Sequence, residues 1–170
     1  MTDAVWKAVV WGQFGAAIDM LENAIIACPD DLWGDRSQHP EFWYTAFHAL
    51  FYLDCYLADS EESFRPPPPF TRDELDERGI FPDRVYTKDE LLAYLEHGRA
   101  TCRSRIAALT EAESSKRCGF PWLDITVAEL HLYNMRHVQH HAAQLNMMLS
   151  QKGHAAPRWV RTAKGPIGTT

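Results

Sequence analysis

Apolar positions recur with a helical period along most of the chain. In 4–27, Val10, Phe14, Ala17, Leu21, Ala24 and Ile25 fall on one stripe of a 3.6-residue repeat, and Pro29 ends it. A polar connector, 30–39, follows. Pro40, placed as a first helical residue, then opens a second helix over 41–57 that is apolar nearly all round, a pattern that belongs in the middle of a bundle. From Asp59 to Tyr86 the period is lost in a charged stretch broken by Pro66 to Pro69, with a short helical turn expected at 73–78. Thr87-Lys-Asp-Glu90 is a capping box that starts a third helix running to about Thr110, striped by Leu91, Leu92, Leu95, Cys102, Ile106 and Leu109. A second box, Thr126-Val-Ala-Glu129, starts a fourth, striped by Leu130, Val138, Leu145 and Leu149, with Gly153 as its terminator.

No segment alternates with period two, so the chain reads as an all-α four-helix bundle. A crossover of roughly 30 residues between helices two and three can return the chain to the end from which it set out, which predicts up-down-down-up topology. The bundle is expected over 1–153. The tail, 154–170, either docks through Trp159 or lacks fixed structure.

Composition narrows the function. At 170 residues one domain can bury a core without disulfides. A net charge of −6 with no basic block argues against nucleic-acid partners, and no apolar run approaches the ~18 residues of a membrane span, leaving small molecules or proteins. The four cysteines form no C-x-x-C, Cys55 and Cys102 fall in helical patterns as small core residues, and the N-terminus lacks a signal-peptide pattern. A cytoplasmic setting is expected.

The chemistry lies in the histidines. His137 and His141, at i and i+4 on the last helix, point the same way with Cβ atoms about 5–6 Å apart, close enough for two imidazoles to meet on one ion. Such a pair arises readily by chance in a chain with eight histidines, and a third ligand is needed. His48, midway along the most apolar helix, is the candidate, completing a three-nitrogen set that leaves coordination positions open. His140 lies about 100° round the helix from His141, so His137/His140 is only a fallback pair. Asn134 and Gln144, one turn to either side, and Tyr44 and Asp54, on the second helix, are candidates for orienting ligands or substrate. His39, His97, His131 and His154 read as surface residues. Zinc, nickel and iron all suit three imidazoles.

An apolar helix with one histidine, Phe42-Trp-Tyr-Thr-Ala-Phe-His48, and a last helix with His137-x-x-His-His141-x-x-Gln144-Leu together resemble the DinB-like (DinB/YfiT) superfamily. The resemblance runs from the first helix through Gly153. It implies an up-down-down-up bundle, a divalent metal held by three histidines at the positions of His48, His137 and His141, and homodimers. Many relatives carry Arg-Gly after the second ligand of the last helix, where this chain has Ala142-Ala143. Characterised members imply metal-dependent transfer involving a low-molecular-weight thiol. The alternatives are a metal-dependent hydrolase, using Asp54 or a tyrosine as acid or base, and a non-catalytic metal- or ligand-binding dimeric stress protein. No residue of the sequence stands out as a general base, and no cysteine is placed as a nucleophile.

Overall fold

A computed structural model describes residues 3–37, 39–76, 78–79 and 81–167. Among them it holds six α-helices, one 3-10 turn and no strand. The helices are α1 (Asp3–Ala27), α2 (Asp30–Trp33), α3 (Phe42–Cys55), α4 (Lys88–Ala108), α5 (Glu111–Ser114) and α6 (Val127–Gln151), with the 3-10 turn at Asp73–Leu75. The four long helices form a ring in which α1 packs on α6, α6 on α3, α3 on α4 and α4 on α1. Every stripe residue named for α1 is buried, as are Leu130, Val138, Leu145 and Leu149 of α6, so the helical period reads the core faithfully. Of the 14 residues of α3, all but Tyr44, His48 and Tyr52 are buried. Those three stand one turn apart on a single face.

Both expected capping boxes form, with Thr87 and Thr126 each accepting from the backbone N–H three residues on and Glu90 and Glu129 reaching back. Gly153, at φ 81°, takes the left-handed conformation that lets His154 N–H donate to Leu149 O and close α6.

Several boundaries differ from the sequence reading. Pro40 is not helical: Glu41 is the N-cap of α3, so the proline sits one residue further out, and the helix stops at Cys55 rather than 57. The 30–39 connector is not wholly polar in role, because α2 carries Leu32 and Trp33 into the core, where the Trp33 indole N–H donates to Tyr86 O at 2.9 Å. α4 ends at Ala108. Thr110 opens α5 instead, through a third capping box with Glu113 that the apolar pattern did not reveal, since α5 buries no residue. His131, expected on the surface, is buried, 7% exposed, with Nδ1 lacking a hydrogen-bond partner among the described residues.

Two irregular segments are fastened to the bundle. The crossover sends Phe64, Phe70 and Tyr86 into the core, with Phe70 stacked on Tyr94 of α4 at 4.2 Å between centroids, and each buried aromatic contributes about 1.5–3 kcal/mol. The tail docks on α1, although not through Trp159, which is 67% exposed. Ala163 N–H donates to Gly12 O at 2.8 Å, the Trp11 indole donates to Gly165 O at 3.0 Å, and Lys164 N–H donates to the buried Asp19 carboxylate, which also pairs with Arg99. A Cβ on Gly15 would lie 2.5 Å from Ala163, so the close seating of the tail requires glycine there.

Candidate metal centre

α6 carries His137 and His141 one turn apart, and α3 runs beside it with His48 on the facing side. One ring nitrogen from each of the three lies within 4.8 Å of the other two, a set able to hold a metal ion. Ring centroids are 4.4 Å apart for His137 and His141, 4.8 Å for His48 and His141, and 5.4 Å for His48 and His137. The two α6 rings face each other Nε2 to Nε2 at 3.1 Å. All three are half-buried.

The crossover contributes a residue that the sequence reading missed. The 3-10 turn delivers Glu74, whose side chain is 5% exposed, against the outer edge of the cluster. Its carboxylate lies 2.5 Å from His48 Nδ1 and accepts from the Tyr44 hydroxyl at 2.9 Å. Glu74 lies in a stretch without periodicity, and only its place in the fold gives it meaning. A carboxylate can only accept, so the hydrogen between them sits on His48 Nδ1, and in the neutral ring that leaves the Nε2 lone pair for a metal. On the other side Gln144 Oε1 lies 2.7 Å from His141 Nδ1 and fixes that ring in the same tautomer. A metal-ligating histidine characteristically has its second nitrogen donating to a carboxylate or carbonyl, and two of the three rings are set in that way.

Electrostatics favour the same state. Burial first, and then the imidazoles of His141 and His48, push His137 down to about 3; burial and His48 push His141 down to about 4. Both rings are therefore neutral at neutral pH, the form that binds a metal. Nδ1 of His137 is buried with no hydrogen-bond partner among the described residues, an arrangement that costs stability in a metal-free chain. The donor set thus fits a divalent ion of borderline character.

The other sequence candidates divide. Tyr44 stands beside His48 at 6.3 Å between centroids and is tied to Glu74, with burial and that carboxylate pushing its hydroxyl pKa up. Gln144 is in place. Asp54 is not at the cluster: six residues beyond His48 on a 100° helix, it turns toward α4, where Tyr94 donates to it at 3.2 Å and His97 lies at 3.4 Å. Asn134 is fully buried between α6 and α3 and donates to Leu53 O at 2.9 Å, fastening the two helices that bear the histidines rather than touching the rings. His140 meets the His141 ring edge-on, at 5.1 Å between centroids, and is not one of the three that converge. Burial pushes the Cys28 and Cys55 thiols up to about 12 and raises Cys102 as well, so none of these is a thiolate near neutrality.

No described helix is long and apolar enough to cross a membrane. A family model, described as the DinB superfamily, matches residues 13–145, a span that takes in the whole histidine cluster and Glu74. No curated protein and no solved structure matches the chain.

Proposed function

The chain belongs to the DinB superfamily, and from that premise we propose that it is a divalent-metal-dependent enzyme that transfers a low-molecular-weight thiol to an electrophilic substrate. The observation that carries this reading is the convergence of His48, His137 and His141, with Glu74 and Gln144 each set against Nδ1 of one ring. A divalent ion at this position supplies Lewis acidity that favours thiolate over thiol near neutral pH. His48, His137 and His141 hold the ion, Glu74 keeps the His48 ring in register, and the Tyr44 hydroxyl holds the Glu74 carboxylate in turn. The raised thiol pKa values of the buried cysteines support a nucleophile supplied by the co-substrate. Glu74 also favours a second reading, hydrolysis, because it places beside the cluster the acid-base group that Asp54 does not.

In both readings, elemental analysis is expected to find about one divalent ion per chain in the wild type and none in the His137→Ala, His141→Ala double variant; equal occupancy would refute the site. Metal-loaded protein is then expected to consume a reactive electrophile faster with bacillithiol, mycothiol or glutathione. Turnover that proceeds at one rate with or without a thiol would select hydrolysis.

We also infer that the bundle runs up-down-down-up. Trp11 meets Arg103 while Asp19 meets Arg99, Trp43 meets Tyr86 while Asp54 meets Tyr94, and His48 meets His141 while Leu53 meets Asn134. These pairings support α1 opposed to α4, α3 parallel to α4, and α6 opposed to α3.

A further inference from the structure

A cavity of about 740 Å³ lies where α1, α6 and the tail meet, and His137 is the residue it shares with the histidine cluster. Its volume falls in the range of small-molecule sites. Ala16 and Ala17 of α1 form an apolar floor, and Trp159 stands at the rim from the tail. Arg136 is the charged side chain of the lining, beside the neutral His137 ring, His140 and the uncharged Gln13, Tyr133 and Gln139, and among the described residues no aspartate or glutamate lines the cavity. In a chain with a net charge of −6 that is a local reversal of sign. Arg136 is exposed and makes no ion pair among the described residues, so its guanidinium presents unclaimed donors at the edge of an apolar pocket.

The indole of Trp159 is also set in advance. Two residues on, Arg161 O accepts from Gln13 Nε2 at 3.2 Å, and Ala163 and Lys164 are bound to α1, so an exposed aromatic face is carried on an anchored segment. These tail residues lie beyond the 13–145 span that the family model matches.

We propose that this cavity binds a small aromatic monoanion, such as an aryl carboxylate or sulfonate, with the anionic group on Arg136 and the ring between the alanine floor and Trp159. His137 borders the cavity, so an anion of this class that also carries an electrophilic carbon is placed to be the substrate, and that part alone rests on the function proposed above. Binding itself does not require a metal.

The test uses the full-length protein with two fluorescent probes of nearly identical shape: 8-anilinonaphthalene-1-sulfonate, and N-phenyl-1-naphthylamine, which lacks the sulfonate. The wild type is expected to bind the sulfonate saturably at one site per chain. Arg136→Gln should weaken the sulfonate about tenfold or more and leave the neutral probe nearly unchanged. Trp159→Ala should weaken both. Equal sulfonate affinity in wild type and Arg136→Gln, or a Trp159→Ala variant that binds both probes as the wild type does, would overturn the assignment. The titrations are repeated with chelator and with zinc. Arg136-dependent binding in a protein that takes up no zinc would support this site while refuting the metal reading; zinc uptake with Arg136-independent probe binding would refute this site alone.

Discussion

α6 and the crossover bring their side chains to the same cluster by opposite means. α6 places His137 and His141 by periodicity alone, because any continuous helix with imidazoles at i and i+4 pairs them. The crossover has no period, and Glu74 reaches His48 from a segment held by Phe64, Phe70 and Tyr86, which are sunk in the core on either side of it. The helical arm is therefore insensitive to distant packing, whereas the crossover arm depends on anchors that touch no histidine. Chemistry that needs a fixed ring tautomer is thus coupled to the packing of a loop.

The largest expected effect comes from cutting an anchor. Phe70→Ala removes a buried ring stacked on Tyr94 and should cost about 3–5 kcal/mol of stability in urea unfolding. It should also lower metal affinity, since Glu74 is no longer held against His48. A variant that is destabilised to this extent and still binds metal as the wild type does would break the comparison, showing that Glu74 is positioned locally. The direct change, Glu74→Gln, keeps the shape and an acceptor for His48 Nδ1 but removes the charge. Calorimetric titration with zinc should show affinity lowered by about 10–100-fold with the fold intact. No change in affinity would mean that the carboxylate does not act on the ring.

The two arms were unequally legible in the sequence. The four long helices, two capping boxes and the terminating Gly153 are local features, and each was readable because a stripe, a Thr-x-x-Glu or a glycine acts within a few residues of itself. The histidine trio was readable for the same reason, being two spacings on regular helices. Asp54 faces Tyr94 of α4, a direction that its proximity in sequence to His48 hides because the helix turns between them. His131 was misassigned because a lone polar residue gives no sign of burial when its neighbours are mixed. Glu74 and the docked tail were illegible for a different reason. Their positions are set by contacts such as Phe70 on Tyr94 and Ala163 on Gly15, which join segments far apart in the chain.

The helical arm carries its own cost, and His137 exposes it. Without metal, this imidazole is half-buried, crowded by two others, and its Nδ1 has no partner among the described residues. Replacing it with an apolar side chain of similar size should raise the stability of the metal-free protein by about 1 kcal/mol near pH 7.5, since an unsatisfied buried polar atom is removed. The gain should widen as the pH falls. His137 sits at about 3 in the folded chain and near its ordinary 6.5 when unfolded, so between those values the unfolded chain binds more protons and acid favours unfolding. His137→Leu lacks that linkage, and its advantage over the wild type in urea unfolding with chelator should be larger at pH 5 than at pH 7.5. Added zinc should reverse the order, stabilising the wild type and leaving the variant unmoved. A variant that is less stable than the wild type in chelator at both pH values would show that the imidazole is held by contacts of its own. In that case α6 would depend on tertiary packing as much as the crossover does.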